Sequence, residues 1–89
     1  MAQTADHDAL AKTTAPSDRP TETLDARELP PPEPLRATLE RLADLDDDVV
    51  LVQVNVRAPQ HLYPKLTDRG YRYDTVVTDD GAVTAIWME

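Results

Sequence analysis

Apolar positions show no period through the first 21 residues, which are mostly Ala, Thr, Asp and Pro with scattered charge, and then fall into short patterned runs. The clearest run is 49–56. Val50, Val52, Val54 and Val56 alternate to give one fully apolar face, while Val49 and Leu51 begin an opposite face that Gln53 and Asn55 turn polar. That is the pattern of a central strand covered on one side and part-covered on the other. Upstream, Thr23 to Leu29 reads as a strand and its exit, with Leu24 and Ala26 inward, Leu29 a further inward candidate, and Asp25 and Arg27 outward. Leu35, Leu39, Leu42 and Leu45 then form a helical stripe, with Arg36, Glu40, Arg41 and Asp44 mostly off it. Prolines 30, 31, 32 and 34 cannot sit in a helix interior but suit its first turn, whose N–H groups lack intrahelical partners. The helix is therefore expected from about Pro32 to Leu45.

Asp46-Asp47-Asp48 reads as a solvated turn, lacking the alternate spacing of a calcium loop. Beyond the central strand, Pro59 suits a helix entry and Pro64 confines the regular part, so a short helix over about Gln60–Arg69 with an irregular first turn is expected. Gly70 is a natural left-handed C′ residue, with Leu66 and Tyr71 as the apolar pair of a Schellman cap. Tyr71–Thr78 and Ala82–Met88 read as strands joined through Asp79-Asp80-Gly81, a hairpin signal. Either Ile86 with Thr84, or Trp87 with Val83 and Ala85, can be the inward set; the reading favours Ile86 inward and Trp87 on the open sheet face.

The order is βαβαββ. A right-handed crossover makes the first two strands parallel and puts both helices on one face. The expected fold is a two-layer α/β (α+β) sandwich with a four-stranded mixed sheet, comprising residues 22–89 behind a disordered tail at 1–21.

Composition narrows the function classes. The chain has 89 residues and a net charge of −8, with twelve Asp and five Glu against two Lys and seven Arg. Outside the tail the balance is seven basic to fourteen acidic residues, or −7. That opposes nucleic-acid binding, which needs cationic phosphate contacts, and it suits a protein kept soluble in molar salt, as in a halophilic cytosol. No apolar stretch approaches a membrane span, and the first residues lack the basic and apolar regions of a signal peptide. A cytoplasmic protein, monomeric or weakly dimeric, is expected. With no cysteine, disulfides, thiolate catalysis and cysteine metal sites are excluded.

Parallel strands end at one edge of the sheet, and both helix N-termini open there. Arg27, Glu28 and Pro31 come to that edge from the first strand, and Asn55, Arg57, Gln60 and His61 from the second. Two helix starts, two arginines and a histidine suit a small anion or a partner's carboxylate, although the prolines have removed donors at one start. Each residue also has a structural reading. Arg27 can pair with Asp25, Glu28 or Glu33; Asn55 can end the strand by bonding backbone; Arg57 and His61 can be solvated; Tyr63 can pack with its hydroxyl at the rim. His7 reads as a solvated tail residue. One core histidine with scattered carboxylates makes no transition-metal site, so no metal or cofactor is expected. No serine lies in the core, and the core threonines lack a base by spacing.

Leu24-Asp25-x-Arg27-x-Leu29-x-Pro31-Pro32-x-Pro34 resembles the leader of the TusA/SirA-like sulfur carriers, Leu-Asp-x-Arg-x-Leu-x-Cys-Pro-x-Pro. Their cysteine stands at a helix N-terminus, where the dipole favours the thiolate; here Pro31 takes its place, so persulfide chemistry is absent. The chain resembles more closely the domain of unknown function 2249 family, through the same proline corner and Pro59-Gln60-His61-Leu62-Tyr63-Pro64-Lys65-Leu66 followed by Arg69-Gly70. Some relatives in that family carry histidines near the end of the second strand, where this chain has Asn55 and Arg57. The likeness spans about Leu24 to Trp87. It implies a non-catalytic binding or adaptor module with a protein partner, in sulfur-transfer, metallocofactor or redox metabolism. The alternatives are a small-anion or small-ligand binder at the same edge and an acid/base enzyme using Glu28 or His61.

Overall fold

The computed structural model describes residues 13–16, 18–30, 32–79 and 81–88. The elements run β1 (Thr21–Asp25), α1 (Glu33–Asp44), β2 (Val50–Asn55), α2 (Tyr63–Asp68), β3 (Tyr71–Thr78) and β4 (Gly81–Met88). They form a four-stranded mixed sheet in the order β1-β2-β4-β3, with β1 and β2 parallel and the other two pairings antiparallel.

The proline corner starts α1 where the backbone chemistry demands. Pro32 is the N-cap, Pro34 lies in the first turn, and Glu33 N–H donates to Pro30 O at 2.8 Å. Leu42 is buried, and Leu35, Leu39 and Leu45 pack against the same cluster. α2 begins at Tyr63, three residues later than expected. Pro64 has no N–H, so a helix starting at Gln60 would leave the Gln60 carbonyl without its intrahelical donor. The chain instead turns first, Leu62 N–H bonding Pro59 O at 2.9 Å. At its far end Gly70 takes φ +82°, and its N–H reaches Thr67 O at 3.1 Å, a left-handed cap.

Two apolar layers flank the sheet. Under the helices lie Leu42, Leu51, Leu62, Leu66 and Ile86, with Leu24, Tyr71 and Tyr73 at their margin. Leu51, Leu62, Leu66 and Ile86 are fully buried, each worth about 1.5–3 kcal/mol relative to exposure. On the other face Val50, Val52, Val54, Val83, Ala85 and Trp87 form a second cluster. Ile86 thus faces the helices and Trp87 the helix-free side. The all-valine row of β2 also faces away from the helices, which cover the mixed row of Leu51 and Gln53.

A polar row crosses the helix-side layer. Gln53 pairs in register with Thr84, and Thr84 with Thr75. Gln53 Nε2 donates to Thr38 Oγ1 at 2.7 Å, and Thr38 Oγ1 donates to Pro34 O at 2.7 Å. Thr84, Thr75 and Tyr63 join hydroxyl to hydroxyl. Gln53 Oε1 is buried and, among the described residues, lacks a partner.

The expected tail is corrected at its C-terminal part. Thr21 opens β1, Pro20 O accepts Val50 N–H at 2.9 Å, and Arg19 donates to Met88 O. Thr14 N–H reaches Asp74 Oδ2 at 2.9 Å, and Ala15 packs on the Val/Trp cluster. Small and polar residues with no period are thus held by single anchors that periodicity cannot reveal. His7 lies outside the described residues.

Candidate functional site

β3 is antiparallel to β4, which is antiparallel to β2, so β1, β2 and β3 all end at one edge. The two helices begin at that edge. Ala26 N–H continues the ladder to Val54 O at 2.7 Å, and Ala26 itself is fully buried. This contact pins the proline corner beside the end of β2.

The expected site residues divide between framework and surface. Arg27 grips Asp25 with two charge-assisted bonds, Nε to Oδ1 at 3.0 Å and Nη2 to Oδ2 at 2.8 Å, while its backbone N–H reaches Oδ1 at 3.1 Å. The Arg27 side-chain hydrogen bond, opposed by burial, lowers the Asp25 carboxyl below its usual range. This pair closes the turn leaving β1. Asn55 is also structural: its Oδ1 accepts Val56 N–H at 2.8 Å, and its backbone oxygen meets the hairpin at Gly81. Gly81 sits at φ +138°, where a Cβ would lie 2.2 Å from Asn55 O. Glu28, Arg57, Gln60 and His61 are exposed at the edge. His61 stands in the turn before α2 and not on the helix as expected, because Pro64 delays the helix start. Pro31 lies outside the described residues.

Pattern reading missed the apolar component. Among the described residues, the exposed large hydrophobics are Leu29 at 37%, Val56 at 58% and Val77 at 74%. All three stand at this edge: Leu29 in the proline corner, Val56 just past β2, and Val77 next to the last residue of β3. Alternation places Val56 inward and makes Leu29 an inward candidate. The available signal was local: Arg57-Ala58-Pro59 ends pairing soon after Asn55, so the alternating pattern cannot carry its burial one residue further. The pairing of β2 with β4 does end at Asn55 and Ala82.

The helix starts offer an anion little. Within the first turn of α1, Pro32 and Pro34 lack donors, Glu33 N–H is bonded, and the Glu33 carboxylate adds negative charge. α2 has only six residues and a proline in its first turn. Among the described residues, no group of three or more His, Cys, Asp or Glu could hold a metal ion. No helix among them is long and apolar enough to cross a membrane.

A family model described as an uncharacterized conserved protein, DUF2249, matches residues 23–88. No curated protein and no solved structure matches.

Proposed function

The chain belongs to this DUF2249 family, and on that premise we propose that it is a non-catalytic binding module that docks a protein partner through the edge where β1, β2 and β3 end. The observation carrying this reading is that Leu29, Val56 and Val77, the exposed large hydrophobics among the described residues, all stand along this edge, as do exposed Arg57 and His61. Exposed apolar side chains rimmed by charge on a rigid frame suit protein recognition better than catalysis. Proline fixes the corner before binding, so little ordering entropy is lost on contact.

The Leu-Asp-x-Arg leader suggests a sulfur-carrier-like fold, and with it a cytoplasmic partner in sulfur-transfer, metallocofactor or redox metabolism. Proline at position 31 and the absence of cysteine leave recognition, without the transfer chemistry. The small-anion alternative has less behind it, given the prolines and Glu33 at the start of α1.

Affinity capture from native lysate at high salt tests the reading. The full chain is compared with Val56→Asp and with an Arg57→Ala, His61→Ala double variant, each with unchanged circular dichroism. The expected result is a specific protein held by the parent and lost with both variants. A partner retained by both would remove the edge from consideration.

A further inference from the structure

The helix-free face of the sheet is buried although both helices lie on the other side. Val50, Val52, Val54, Val83, Ala85 and Trp87 are all at most 7% exposed. The described side chain that packs on this cluster from outside the sheet is Ala15. From Pro20, bonded at the start of β2, the chain passes Arg19 at Met88 O and reaches Thr14 at Asp74. That path leads from the start of β2, past the end of β4, to the middle of β3. Of these anchors the Thr14 bond to Asp74 is exposed and the Arg19 bond to Met88 O part-buried, whereas the face beneath is broad and apolar. The matched family unit begins at residue 23, so this cover lies outside it.

We infer that the helix-free face is an interaction surface, occupied in cis by the segment carrying Thr14, Ala15 and Arg19, and that a second copy of the chain occupies it when the segment is displaced. The face is self-complementary. Its central strands are apolar, and the β3 residues opposite Trp87 and Ala85 are Arg72 and Asp74. Under a two-fold axis these opposite charges of one copy can meet their counterparts in the other, as an isologous interface requires. Thr14, which engages Asp74 in cis, must leave for that contact to form, and Arg72 must exchange the interaction it makes within its own chain. The tethered segment competes at an effective concentration on the order of millimolar, so the parent stays monomeric at micromolar concentration.

The test uses the full chain. Ala15→Asp sets a carboxylate against the apolar face; Thr14→Pro with Arg19→Ala removes the bonds to Asp74 and to Met88 O. Sedimentation gives oligomeric state, and emission and acrylamide quenching of Trp87, the one tryptophan, give its cover. Both variants are expected to dimerise at concentrations at least ~10-fold below any self-association of the parent, with Trp87 still protected. Folded variants that stay monomeric at ~1 mM, where the tether itself sets the competition, would overturn the inference, whether or not Trp87 becomes quenchable. Unfolding of both variants would overturn it as well, since the segment would then be an integral part of the fold and not a displaceable cover.

Discussion

The buried pair of Thr38 and Gln53 gives the sharpest test of the energetics. Thr38 Oγ1 accepts the Gln53 amide and donates to Pro34 O, while Gln53 Oε1 has no partner among the described residues. Thr38→Val keeps the side-chain shape but strands the Gln53 N–H group, an unpaired buried donor costing about 1–3 kcal/mol. Some of that cost is offset, because the mid-helix hydroxyl bonding back four residues is itself slightly unfavourable. A net loss of about 1–2 kcal/mol is expected, or roughly 4–16 °C in Tm for a domain of this size. Gln53→Met keeps the length and removes the orphaned oxygen, while Thr38 retains its bond to Pro34. That variant is expected to be neutral or up to about 1 kcal/mol more stable. In the double variant Thr38→Val has nothing left to strand, so the coupling energy should be about 1–2 kcal/mol. Urea unfolding followed by circular dichroism measures all four corners of the cycle. If Gln53→Met loses more than about 1 kcal/mol, Oε1 is satisfied in solution and the reasoning from an orphaned acceptor fails.

Gly81→Ala is expected to lower stability by more than about 2 kcal/mol, from a forbidden φ together with a Cβ against the Asn55 carbonyl; a thermal melt within 2 °C of the parent would contradict it. Asp25 has its carboxyl lowered from the ordinary 3.8 by Arg27, so it adds stability above that value, and the contribution vanishes as pH falls through the folded value. The pair is half exposed and therefore worth under about 1 kcal/mol. Asp25→Asn should narrow the stability gap between pH 5 and pH 2, and an unchanged acid unfolding curve would refute the link. The net charge of −8 predicts a rise in Tm between 0.1 and 2 M KCl as self-repulsion is screened, and a flat response would remove the argument for adaptation to salt.

Much of the fold was legible because a few residues leave the backbone little choice. Four prolines in five positions leave a helix no start except among them, and α1 begins at Glu33. Gly70 marked the end of α2, and alternation along β2 separated its two faces. The division of Ile86 from Trp87 was also readable, since neighbours in a strand must point apart. Boundaries set by tertiary contact were not. Val56 continues the valine period, yet β4 turns away at Gly81 and leaves it in water. Ala15 carries no pattern at all, and only the sheet it meets reveals its place. At the candidate edge, charge and polarity singled out Arg27 and Asn55. The structure shows both occupied in holding turns, while Leu29, Val56 and Val77, which the pattern passed over, present the surface.

The sheet order also governs how the chain comes together during synthesis. β2, whose six residues are all buried, lies between β1, made before it, and β4, the last of the four strands to be made. The β3–β4 hairpin is local and closes in microseconds, but it cannot form until Met88 has been made. Throughout that interval β2 carries an unpaired, valine-rich edge next to a single short parallel neighbour, the kind of edge that other chains can pair with. A chain cut short inside β3 would leave that edge unpaired for good, so truncation here creates an aggregation hazard that loss of a surface loop would not.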